Sequence, residues 1–121
     1  KYETAEEKQI RQIKEKKEEV RKEAKLKVKP TYDQTKELLD KGKDAEADAL
    51  VNNLSDEDYE IYKDIRQAER TKATTTLREL LSVNPQKAVE FIRSQNQREQ
   101  ERLLDLMTDE EYSKYESGKN E

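Results

Sequence analysis

The large apolar residues of this chain are too sparse at one end to build a core. Between Lys1 and Lys29 they are Tyr2, Ile10, Ile13, Val20, Leu26 and Val28, and most of the others fall between Tyr32 and Tyr115. A compact core must therefore come from the later part of the chain, and it must be thin. The whole sequence is 45% charged and 31% hydrophobic, whereas an ordinary domain is nearer ~25% charged and ~45–50% apolar. With two glycines and two prolines among so much Glu, Lys, Gln, Arg, Ala and Leu, helix is favoured over strand and coil. Low hydrophobicity with high charge is also the signature of disorder. Here the net charge is only −4 and the two signs are interspersed, which suits helices laced by charge pairs. The expected fold class is all-α: a long charged N-terminal helix followed by stacked short helices resembling helical-hairpin repeats.

Residues 1–29 read as a solvated helical arm. Glu7 precedes Arg11, Glu18 precedes Lys22 and Glu23 precedes Lys27, each the favourable four-residue order. A sparse stripe runs Ile10, Ile13, Lys17, Val20, Ala24 at coiled-coil spacing, interrupted by Lys17 and spanning about two heptads. Two readings stand: a charged helix fraying at its start, or a helix that pairs with a partner helix. Pro30 is expected to break the helix, with Thr31 and Gln34 as the cap of a new one.

A domain over residues 30–118 should follow, with a tail at 119–121. Gly42 marks the end of the helix carrying Tyr32, Thr35, Leu38 and Leu39. Ala47, Leu50, Val51 and Leu54 form one stripe at helical spacing. Ser55 opens another helix, with Asp56, Glu57 and Asp58 at the positive end of its dipole. Four threonines between Thr71 and Thr76 predict a bend. Asn84-Pro85 is a cap followed by proline at the first helical position. Asn96 with Glu99, and Thr108 with Glu111, predict further capped starts, and Gly118 is expected to end the last helix.

Two segments resemble each other. In Ala45–Tyr62 and Arg98–Tyr115, Glu46 matches Glu99, Leu50 matches Leu103, Ser55 matches Thr108, and Tyr59 and Tyr62 match Tyr112 and Tyr115. Upstream, Glu37-Leu38-Leu39 echoes Glu79-Leu80-Leu81, and the Pro85–Ser94 stretch has no counterpart in the first copy. Two related units, about 31–70 and 71–118, follow from a duplication. The alternative is coincidence, because helical proteins reuse leucine stripes and Ser/Thr caps.

Chemistry is tightly bounded. With no cysteine, histidine or tryptophan, disulfides, thiolate chemistry, Cys/His zinc sites and histidine-based triads fall away. The acidic runs Asp56–Asp58 and Asp109–Glu111 cannot converge on one ion, because successive helical residues point ~100° apart. They read as helix-start charge. The tyrosine pairs Tyr59/Tyr62 and Tyr112/Tyr115 read as half-buried packing or as aromatic recognition surfaces. No basic face is coherent enough for nucleic acid, since Glu15, Glu18, Glu19 and Glu23 interleave the cations of the arm. No apolar run reaches the ~20 residues of a membrane span. No catalytic residue, cofactor or metal is therefore expected.

The stretches ADALVNNLSDEDYEIYKDIRQAE and AVEFIRSQNQREQERLLDLMTDEEYSKYES resemble helical segments of very large multidomain, polyvalent or virion-internal proteins of tailed bacteriophages and mobile elements. That resemblance covers the final two-thirds of the chain. It implies a helical module of a protein whose enzymatic domains lie elsewhere, and it carries over no catalytic residue. The expected function is a non-enzymatic structural or protein-interaction module. Its contacts, with a protein partner or with itself through helices, are expected at Ile10, Ile13, Val20, Tyr59, Tyr62, Tyr112 and Tyr115. A reducing or cysteine-independent setting, the cytoplasm or a virion interior, fits the composition. The alternative is a small regulatory or nucleic-acid-associated helical protein.

Overall fold

A computed structural model describes residues 3–120; Lys1, Tyr2 and Glu121 lie outside the described residues. It is all-helical, with six helices among those residues: α1 (Ala5–Asp40), α2 (Asp44–Asn52), α3 (Asp56–Val83), α4 (Pro85–Arg93), α5 (Gln97–Leu106) and α6 (Asp109–Lys119).

Short-range capping chemistry sets most of the boundaries. Ser55, Asn84, Asn96 and Thr108 each accept, through a side-chain oxygen, the backbone N–H three residues on. At Thr108 the box is complete, because the Glu111 carboxylate returns a bond to the Thr108 N–H at 3.0 Å. α1 ends in a Schellman turn. The Lys43 N–H reaches the Leu38 carbonyl at 2.8 Å and the Gly42 N–H reaches Leu39 at 3.0 Å. Gly42 closes the turn at φ 75°, a left-handed conformation that only glycine adopts at little cost.

Two boundaries differ from the sequence expectation. Pro30 lies inside α1, and Thr31 is not a cap; its carbonyl instead accepts the Thr35 hydroxyl at 2.8 Å. A mid-helix proline costs ~3 kcal/mol or more. Here Val28 and Tyr32, one on either side of it, are both buried in a single cluster with Tyr62 and Ile65, and that packing holds the helix through the proline. Leu26, whose carbonyl the proline deprives of a donor, is exposed to water. Helix α3 runs unbroken through the threonine run to Val83. Thr74 bonds back to the Arg70 carbonyl at 2.9 Å, an arrangement a helix accommodates, and Leu77 and Leu81 are buried one and two turns on. Gly118 is not a terminator either. It is a buried residue within α6, and a Cβ placed on it would stand 2.5 Å from the Pro85 carbonyl oxygen. Its lack of a side chain lets α6 press against the start of α4.

The core has two clusters joined by α3. Val28, Tyr32, Tyr62 and Ile65 form the first, with Val51, Leu54, Tyr59 and Ile61 packed around it. Leu77, Leu81, Ala88, Val89, Ile92, Leu103 and Tyr115 form the second, larger one. α3 thus supplies Tyr62 and Ile65 to one and Leu77 and Leu81 to the other. The two matched segments agree at some positions and differ at others: Leu103 is wholly buried where Leu50 is only half-buried, and Tyr112 is exposed where Tyr59 is half-buried. Ser55 and Thr108 both cap, and Tyr62 and Tyr115, one turn and a half inside the following helices, are both buried.

Candidate functional site

The first half of α1 stands apart from both clusters. Every described residue from Glu3 to Glu23 is exposed, and burial along α1 begins only at Ala24 and Val28. At ~1.5 Å per residue, this leaves about 28 Å of free helix. Thr4 caps it by accepting the Glu7 N–H at 3.1 Å. Arg11 bridges Glu3 at 3.0 Å and Glu15 at 3.9 Å. Such exposed pairs each contribute ~0.2–0.5 kcal/mol to a helix. The stripe residues Ile10, Ile13 and Val20 are 53, 54 and 62% exposed. They share one face at spacings of three and four, and the same face continues through Ala24 into buried Val28, Tyr32 and Thr35. One helical stripe is therefore covered by the body at one end and bare at the other.

The four tyrosines named from the sequence divide. Tyr62 and Tyr115 are buried, so their rings hold the core together and present no contact surface. Tyr62 stands 5.6 Å from Tyr32, tilted by 55°, a pairing between distant parts of the chain that the sequence pattern does not reveal. Tyr59 is half-buried, stacked on Tyr62 at 6.3 Å with the Lys63 ammonium 5.1 Å from its ring centre. Tyr112 is the open one, 47% exposed beside Tyr115 at 6.0 Å; its hydroxyl is held protonated to higher pH chiefly by a hydrogen bond to Glu116.

A cleft of about 570 Å³ separates α1 and α2 from the α4–α5 turn, with α3 at its back; Tyr32, Tyr62, Arg66, Arg70 and Phe91 line it. Polar contacts span it. Arg98 forks onto both carboxylate oxygens of Asp48 at 2.8 and 2.9 Å and reaches Asp44 at 3.3 Å. That bond holds the Asp48 carboxyl below its ordinary range. Asn96 donates to Asp40 at 3.2 Å. Deeper in, Glu99 accepts from Arg70 at 3.3 Å and from Arg102 at 2.9 and 3.0 Å. Burial, followed by the charge of Glu69, pushes the Tyr32 phenol up to about 12, and burial raises Tyr62 as well. Carboxylates and guanidiniums here pair with one another across the gap.

The acidic runs serve their helix starts. Asp58 donates its backbone N–H to Ser55 and pairs through its carboxylate with Lys27 at 3.6 Å. Glu111 is held low by the Thr108 N–H and then by Arg78 at 3.1 Å. Among the described residues, no three acidic side chains are grouped so as to hold a metal ion, and no helix is long and apolar enough to cross a membrane.

No protein-family model matches the chain, and neither a curated protein nor a solved structure matches it.

Proposed function

We propose that this chain is a non-enzymatic helical module that binds or scaffolds another protein, with the free half of α1 as its contact element. One observation carries the reading: a helix with an apolar stripe extends from Ala5 to Glu23 without burying a single residue. Ile10, Ile13 and Val20 line up on one exposed face, and their a/d-type spacing suits a facing helix. The mutual neutralisation across the cleft also favours a binding or scaffolding role over catalysis. The resemblance of residues 47–69 and 88–117 to helical stretches of large phage proteins supports placing the module inside such a protein, packed within a capsid.

Thermal denaturation of the full chain carrying Ile10→Asp, Ile13→Asp and Val20→Asp together tests whether the stripe faces outward. Exposed substitutions change stability by only about 0.5 kcal/mol or less each, so the melting of the body should stay within a few degrees of the unsubstituted chain. A fall as large as that caused by truncating a core residue would mean that the stripe packs on its own body, and the proposal would fail.

A further inference from the structure

Resting on the reading above, the charges beside the stripe say what kind of helix covers it. With Ile10, Lys17 and Ala24 at the a positions and Ile13 and Val20 at the d positions of a heptad, the flanking residues are Glu7, Lys14 and Arg21 on one side and Gln9, Lys16 and Glu23 on the other. The middle of the seam is therefore entirely basic: Lys14, Lys16 and Lys17, with Arg21 one turn on. Flanking and seam charges of this kind set the partner and the orientation of paired helices.

A second copy opposes like charges at the centre of the contact in either orientation. If two arms pair antiparallel, with Ile10 against Val20, Lys14 meets the second copy's Lys14 and Lys16 meets its Lys16 at the centre, while the Glu7–Arg21 pairs at the two ends compete with the Asp64 carboxylate that already holds Arg21. If they pair parallel and in register, Lys17 meets the second copy's Lys17 inside the seam and Lys16 faces its Arg21. Like charges directly opposed across a contact are repulsive, and they act against wrong partners more than they tune the right one. The body shows the favoured chemistry. Where α3 lies beside the same helix, Arg21 pairs with Asp64 and Lys27 with Asp58 at 3.6 Å, beside the buried Tyr62 and Ile65. α1 is thus already covered, on one part of its length, by a helix with an apolar stripe edged by carboxylates.

We infer that the bare part of the stripe docks an amphipathic helix of a different protein, one whose apolar a/d positions are flanked by Asp or Glu. Ile10, Ile13 and Val20 fill its holes. The stem of Lys17 lies along the seam while its ammonium reaches out to a carboxylate of the partner, and Lys14 and Lys16 choose the acidic edge. The contact is about two heptads long, so it is a weak, salt-sensitive one that gains strength from repetition or from a neighbouring contact.

The test uses the full chain and two synthetic three-heptad helical peptides, identical in their Leu/Ile seam, one with glutamates and one with lysines at the flanking positions. Fluorescence anisotropy measures binding, and sedimentation measures the chain alone. The glutamate peptide should bind at least about tenfold more tightly than the lysine peptide. Its binding should weaken about tenfold or more between 0.05 and 0.5 M salt and be lost with Ile13→Asp, while the chain alone stays monomeric. Self-association of the chain that Ile13→Asp abolishes would overturn the inference in favour of a second copy and leave the interaction module standing. Equal binding of both peptides, or of neither, would also overturn it, by showing that the basic seam does not select an acidic helix. Failure of the module itself would appear separately, as a body destabilised by the stripe substitutions.

Discussion

The two halves of α1 carry one stripe under two regimes. From Val28 onward its residues are locked in a cluster with Tyr62 and Ile65, and packing is strong enough to carry the helix through Pro30. Before Ala24 every described residue is exposed, Arg21 alone of them pairs with the body, at Asp64, and the helix relies on a Thr4 cap, ion pairs and intrinsic propensity. Helical geometry alone therefore does not distinguish core from contact surface; what faces the stripe does. On the function proposed above, a stripe continuous across that border is one interface, half filled by the protein's own α3 and half left for another helix.

The contrast breaks most readily at the core. Ile92 is wholly buried in the larger cluster, so Ile92→Ala should cost ~2–5 kcal/mol by cavity formation, whereas Ile13→Ala in the arm should leave the melting of the body unchanged. Denaturant titration of the two variants measures the difference directly. A cost at Ile13 comparable to that at Ile92 would erase the distinction between the halves.

Gly118→Ala comes next. The added methyl would meet the Pro85 carbonyl at 2.5 Å, and relieving such an overlap between two backbones should cost ~1–3 kcal/mol, seen as a lower melting temperature. A neutral outcome would mean that α6 and α4 separate without penalty. At Gly42 the φ of 75° predicts a smaller loss on Gly42→Ala, ~1–2 kcal/mol, again read from the melt.

The alkaline limb sharpens the picture of the covered half. Tyr32 has its phenol raised by burial from 10.0 to about 12, so the folded state favours the neutral ring. The stability this supplies is complete below pH 10 and is lost as pH rises through 10 towards 12. Tyr32→Phe should flatten that limb of the melting profile, while the arm variants leave it untouched. The smallest effect expected is at acid pH. Asp48, held low by Arg98, contributes stability above the ordinary aspartate range that disappears as pH falls through its depressed value. Asp48→Asn should make the acid limb slightly shallower, within the modest range of exposed ion pairs.

What the sequence made legible was local. Ser55, Asn84-Pro85, Asn96 and Thr108 act on backbone groups within three residues, so their caps were readable. Leucine and isoleucine stripes needed only helical spacing, and the arm's stripe was visible because nothing beyond its own helix is required to define it. In the sequence, Pro30 reads as a break because its penalty is local, while the packing that offsets it, Val28 and Tyr32 on Tyr62 and Ile65, is not. Gly118 looked like a terminator because glycine signals flexibility in sequence, whereas its role is the approach of Pro85 from another helix. Tyr59 and Tyr62 share the same spacing as Tyr112 and Tyr115, so sequence alone did not say which ring of each pair is core. The cleft, assembled from α1 to α5 and the α4–α5 turn, left no trace in any single segment.

Native-state hydrogen exchange of the full chain tests the central claim most directly. Amides of the arm, from Lys8 to Glu23, should exchange through local opening far faster than those around Tyr32, Ile65 and Leu77, with protection rising between Ala24 and Val28. Protection of the arm equal to that of the body in dilute solution would contradict the account, because it would mean that the stripe is already covered.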